Sequence, residues 1–221
     1  MKLLHLTALH FHQRWFEWVA RTAPQFDAVA ISGELLNRNC GVPLDEQIAW
    51  VSQWALNFPV PLILASGVSD IDETGRARWL ESLARSQLTV DRGRTRVGRW
   101  SVEAVPWQRL PAYGGEQHIA VAHVGPSGVS PTTLFPENMT GGDPRLSRHL
   151  RRTPQPPAIV LCSSVLSALG WLGRYRSTWV LNPGEGRPHA EAPNHIVLDL
   201  DRATARWVEN DRCAEELSLR P

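Results

Sequence analysis

Four apolar runs in the chain each end in a short cluster of polar or small residues. Lys2 to Thr7 runs into Ala8-Leu9-His10, Phe26 to Ser32 into Gly33-Glu34, Val60 to Ala65 into Ser66-Gly67-Val68-Ser69-Asp70, and His118 to Pro126 ends in His123 and Gly125-Pro126. Nearly continuous apolar runs belong to strands covered on both faces, and so to parallel, central strands. Between the first runs the spacing turns helical. Phe11 to Ala23 puts Trp15, Phe16, Trp18 and Val19 on one side and stops at Pro24; Asp45 to Asn57 does the same with Ile48, Val51, Trp54 and Ala55 and stops before Pro59. A third helix is predicted over Thr74 to Ser86, with Trp79, Leu80 and Leu83 on one face. Residues 1–86 therefore read β-α-β-α-β-α, the pattern of a parallel sheet flanked by helices.

The second half is strand-rich. Leu88–Val90, Thr95–Val97 and Trp100–Val105 are short strands, with a turn at Asp91-Arg92-Gly93. Further strands are predicted at Ala158–Cys162, Thr178–Gly184, Asn194–Leu200 and Ala203–Trp207, and a polar tail or short helix after Asn210. Residues 125–157, rich in Gly, Pro, Ser and Thr, read as an excursion above the strand ends. Two mixed sheets packed together with helices outside, in a single domain over residues 1–221, is the expected architecture: an α/β fold.

Composition narrows the function classes. A net charge of +1 over 221 residues gives no electrostatic case for nucleic acid or an anionic membrane surface. The basic run Arg145 to Arg152 is expected to be a solvated helix face, since no aromatic residues interleave it. No apolar run approaches the ~18 residues of a membrane helix, and the three widely spaced cysteines fit reduced thiols, so a cytoplasmic protein without membrane partners is expected. Ten tryptophans is a high number; most are expected to pack helices onto sheet, with an exposed aromatic patch for a partner as the functional alternative.

Open α/β sheets keep their chemistry at the C-terminal ends of their strands. The clusters there are Ala8-Leu9-His10, Gly33-Glu34, Gly67-Val68-Ser69-Asp70, His123 and, after a fifth strand, Ser163-Ser164-Val165-Leu166. Their order and spacing, together with the late Asn182-Pro183-Gly184, resemble the calcineurin-like metallophosphoesterase superfamily from Met1 to about Trp207. The resemblance implies a four-layer α/β/β/α sandwich and a two-metal centre. In such a centre, ions ~4 Å apart lower the pKa of a bridging water and clamp the phosphate ester it attacks.

Motif by motif, the sequence departs from the family. Asp-x-His becomes Ala8-Leu9-His10, which keeps the imidazole and loses the carboxylate. Gly-Asp becomes Gly33-Glu34, and Gly-Asn-His-(Asp/Glu) becomes Gly67-Val68-Ser69-Asp70, with both functional side chains lost. The strand-end histidine is His123, and Gly-His-x-His becomes Ser163-Ser164-Val165-Leu166, with both imidazoles lost. The resemblance thus implies a vestigial site of Ala8, His10, Glu34, Val68, Ser69, His123, Ser164 and Leu166. His10 and His123 would each hold one ion, with Glu34 between them, leaving each ion two protein ligands. Such a depleted set disfavours a divalent cation. The expectation is a metallophosphoesterase-fold pseudoenzyme without cofactor, acting as a binding or scaffold module for an unidentified protein partner. The alternative is a divergent phosphoesterase acting on phosphate mono- or diesters, with one weakly held Mn, Fe or Zn on His10, Glu34 and His123, or with no metal and a serine or cysteine nucleophile. No Gly-x-Ser-x-Gly elbow surrounds Ser69, Ser163, Ser164 or Cys162. His5 reads as a core histidine, His12 as a surface one, and Asp70 as a cap.

Overall fold

The computed structural model describes residues 1–134, 139, 141–163, 168–209 and 212–219. Ser164 and Leu166 lie outside the described residues.

The first sheet is built by the predicted βα units. Strands β1 (Lys2–Leu6), β2 (Ala28–Ser32), β3 (Leu62–Ala65) and β4 (Leu88–Val90) run parallel in that order. Beyond β1 the sheet continues antiparallel through β11 (His195–Asp199), β12 (Thr204–Glu209) and β13 (Arg212–Ser218). The second sheet has a parallel centre of β6 (Trp100–Val105), β7 (Gly115–Ala122), β8 (Pro157–Leu161) and β10 (Thr178–Leu181). Antiparallel β5 (Arg94–Val97) and β9 (Leu172–Tyr175) edge it.

The period of two along each strand assigns its side chains. Leu4, Leu6, Val29, Ile31, Leu62 and Leu64 face α1 (Gln13–Thr22) and α2 (Leu44–Leu56), against buried Trp15, Phe16, Val19, Val51 and Ala55. Leu3, Ala28, Ala30, Ile63 and Ala65 face the other way and meet Val102, Ala104, Ile119, Val121, Ile159 and Leu161 of the second sheet. This is why the central strands are apolar on both faces. None of the ten tryptophans is exposed. Phe16 takes Trp50 and Trp54 edge-on, with ring centroids 5.4 and 4.9 Å away, and the Trp54 indole donates to the Phe16 carbonyl. The tryptophans on α1 and α2 are thus packing residues.

Two expectations are corrected. The third helix, α3, covers Arg78–Glu81 and not Thr74 to Ser86. The Asp72 carboxylate accepts from the Thr74 and Arg76 amides and the Thr74 hydroxyl, and so fixes residues 72–76 as a turn, with Gly75 in the left-handed region. Residues 212–218 form β13, neither tail nor helix, because the free edge of β12 offers a backbone ladder. In the excursion, α4 (Pro144–Arg152) is capped by Asp143, whose side chain accepts from the Arg145 amide. Its Leu146 and Leu150 are buried and Arg145, Arg148, Arg151 and Arg152 are exposed, which is the solvated face expected of that run.

Candidate functional site

All of the described site positions lie at one end of the sandwich, where the parallel strands of both sheets finish. The loops after β1 and β2 are laced together: the amides of Ala8, His10 and Phe11 donate to the carbonyls of Gly33, Glu34 and Leu35. Ala8, His10, Phe11 and Glu34 have positive φ, between 44° and 59°, which L-residues adopt at a cost. Gly33 (φ +96°) and Gly67 are required by close approach. A Cβ on Gly33 would stand 2.8 Å from the Gly67 backbone and from His123 Nδ1; one on Gly67 would stand 2.5 Å from the Glu34 amide.

Glu34 is the hub. Its side chain is buried and reaches across to the turn after β3. There Oε1 accepts from the amides of Val68 (2.7 Å) and Ser69 (3.3 Å), and Oε2 accepts from the Ser69 hydroxyl. His10 Nδ1 lies 3.7 Å from Oε2 and His123 Nε2 lies 3.5 Å from Oε1. The structure therefore brings His10, Glu34, Ser69 and His123 together around one carboxylate. Ala8 is buried beside them, and its methyl side chain offers no ligand. Val68 is 50 % exposed and turns to solvent; its contribution to the site is its backbone amide.

The surroundings fix these groups. His123 Nδ1 donates to the Ser32 carbonyl at 3.0 Å, so Nε2 is the nitrogen that faces Glu34. Burial pulls the His123 pKa down, against the Glu34 charge that raises it. Trp107 packs on the imidazole at 5.0 Å, and its amide donates to Ser66 Oγ. Asp70 caps as expected: Oδ1 accepts from the amides of Leu35 and Leu36 and Oδ2 from that of Gly67. Burial, followed by the charge of Glu34, pushes its pKa up to about 7 against those three donors. His5 lies between the sheets with Nε2 3.0 Å from Ser32 Oγ, Nδ1 without a partner among the described residues, and a pKa lowered by burial to about 3.

Sequence reasoning missed Glu185, whose Oε1 lies 3.4 Å from His10 Nε2. Its signal was the Asn182-Pro183-Gly184 that precedes it. His10, His12, Trp15, Asn37, Arg38, Ser69 and Glu185 are among the residues that line a pocket of about 370 Å³ over the hub.

The donor set does not fit a two-metal centre. Among the described residues, no three His, Cys, Asp or Glu side chains converge so as to hold an ion. Both oxygens of the would-be bridging carboxylate are already engaged by the 67–70 turn. Backbone amides and a hydroxyl here stabilise a negative charge that a metalloenzyme would neutralise with cations.

The architecture can be compared with known proteins. One solved crystal structure superposes with a TM-score of 0.68 at 13% identity, over 94% of this chain and 98% of its own. The protein TT1561 of Thermus thermophilus matches with a TM-score of 0.59 at 14% identity over 99% of each chain. An archaeal phosphodiesterase matches with a TM-score of 0.55 at 12% identity, over 94% of this chain and 99% of its own. The chain has the metallophosphoesterase fold. No protein-family model and no curated protein matches the sequence. The metallophosphoesterase fold is thus carried by a chain whose likeness lies in its backbone and topology. Among the described residues no helix is long and apolar enough to cross a membrane.

Proposed function

We propose that this chain is a metallophosphoesterase-fold binding module that does not hydrolyse phosphate esters, and that its partner is a protein. One observation carries the reading: the Glu34 carboxylate takes the Val68 and Ser69 amides and the Ser69 hydroxyl as donors. A carboxylate one methylene longer than the family's aspartate spans the gap to the 67–70 turn and knits the strand ends without ions. The replacement of liganding side chains at Ala8, Val68 and Ser69 supports the same reading. Elemental analysis of mildly purified protein is the direct test, paired with turnover of bis(p-nitrophenyl) phosphate in added manganese. Substoichiometric metal and no turnover above the blank are expected. Near-stoichiometric Mn, Fe or Zn, or manganese-dependent turnover lost in His123→Ala, overturns the proposal.

A second reading, a divergent phosphoesterase with one weakly held divalent ion, draws on the orientation of His123. Its Nε2 faces a carboxylate at 3.5 Å, a contact that a cation would satisfy as well as a proton. The same two measurements separate the readings.

A further inference from the structure

The second sheet holds another buried carboxylate with an imidazole beside it. Glu103 of β6 and His118 of β7 alternate with Val102, Ala104 and Ile119, which face the first sheet, so both point to the outer face. Each is more than nine-tenths buried, and His118 Nε2 lies 3.3 Å from Glu103 Oε2. Residues 106–114, the connection from β6 to β7, run past this pair. The two strands are parallel, and a parallel crossover usually takes about a dozen residues or more and a helix. This one is shorter and has no helix, so it is drawn as a strap from the candidate site to the opposite end of the sheet.

Glu103 holds the strap much as Glu34 holds the 67–70 turn. Its Oε1 accepts from the Ala112 amide at 2.9 Å and its Oε2 from the Tyr113 amide at 3.3 Å. The Arg94 guanidinium lies over the Tyr113 ring, 4.1 Å from the centroid. Just beyond, the Gly115 amide donates to the Pro156 carbonyl. At its other end the strap reaches the candidate site, where the Trp107 amide donates to Ser66 Oγ and the indole packs on the His123 imidazole. Between these fixed ends little holds it. Gln108 has a φ of +56°, and Gln108, Arg109 and Leu110 are exposed. Their side chains make no hydrogen bond or ion pair among the described residues.

A segment with few buried contacts opens at low cost, and the ring at its end moves with it. That ring lies on His123, whose side chain is 9 % exposed and is not among those lining the pocket over the hub. We propose that residues 106–111 are a lid over His123, that Glu103 with His118 is its latch, and that opening it exposes the His123–Glu34 contact to a ligand from the side of the second sheet. Glu103 is a positioning residue here: it acts on His123 through the strap and Trp107. The latch does not depend on what the hub binds, and the proposal stands whether or not a metal sits there.

The test is the rate at which diethyl pyrocarbonate modifies each histidine of the full chain in the presence of EDTA, read by peptide mass. His5, fully buried, reports an intact fold, and partly exposed His10 reports an unchanged first-sheet side. Modification of His123 is expected to be slow in the wild type and about tenfold faster in Trp107→Ala. Glu103→Gln turns one of the two acceptors into a donor facing an amide, and modification of His123 about fivefold faster is expected, with His5 and His10 unchanged. Glu103→Ala removes both acceptors and should exceed it; if His5 becomes reactive there, the Gln variant decides. In a Trp107→Ala background Glu103→Gln should add nothing, because the ring it positions is gone. Wild-type reactivity of His123 in Glu103→Gln overturns the latch, and wild-type reactivity in Trp107→Ala overturns the lid. Equal acceleration at His5, His10 and His123 is general loosening and overturns both.

Discussion

Glu34 shows how one methylene changes what a site can be. An aspartate here would stop short of the 67–70 turn; the glutamate reaches it and takes three donors there. Glu34→Asp is therefore expected to destabilise the fold by about 1 kcal/mol, since it strands part-buried donors. Thermal or urea melting checks this, and an unchanged midpoint would sink the cradle as a structural element. Titration makes a second test. The His5 pKa is lowered from 6.5 to about 3, so the folded state holds the imidazole neutral while the unfolded chain protonates it below 6.5. Its contribution to stability is present above pH 6.5 and is lost as pH falls towards 3. Asp70 works in the opposite direction. Its pKa is raised from 3.8 to about 7, so its contribution is full below 3.8 and is lost as pH rises through 7. Melting curves across this range are expected to show a shallower acid loss in His5→Gln, and in Asp70→Asn a smaller loss on going from pH 5 to 8. The reverse slopes would refute the assignments.

Where the strand ends converge, the backbone allows little latitude. Gly67→Ala places a Cβ 2.5 Å from the Glu34 amide and 2.6 Å from its Oε1. The turn after β3 and the loop after β2 cannot both keep their places, and a loss of about 3 kcal/mol is expected by chemical melting, mostly as faster unfolding if the loops dock late. Much at this scale was legible in the sequence. The apolar runs that became β1, β2 and β3 had no other way to bury both faces, and the Trp spacings on α1 and α2 declared a buried side. What was not legible depended on partners distant in sequence or on side chains folding back on their own backbone. The alternation in residues 212–218 is too polar to announce a strand, and only the edge of β12 makes it one. The helical spacing of Trp79, Leu80 and Leu83 was real, but Asp72 closes a turn that shortens the helix from its front. The four residues of β9 become a strand through β10.

For the molecule as a whole, the parallel strands bring His10, Glu34 and His123 to one end of the sandwich, where Glu34 takes its donors from the 67–70 turn. His10, Glu34 and His123 could be named from motif order, because parallel strands must finish at the same end. Glu185 could not, because it arrives on the loop after β10, and Trp107 and Ser32 act through contacts that no motif records. On the proposed reading, added manganese at about 1 mM should leave the melting temperature unchanged, since a ligand stabilises only the state it binds. A rise of several degrees, abolished in Glu34→Ala, would contradict it. The two carboxylates at the hub also make a built-in reporter. Leu35, Leu36, Gly67, Val68 and Ser69 give their amide protons to Asp70 and Glu34, outside any helix or sheet ladder. Their exchange with deuterated solvent is therefore governed by the charge and position of two side chains. Those five protons should quicken together when the hub opens while the ladders of β1 to β3 stay protected, so the site's integrity can be followed residue by residue without a substrate or a partner in hand.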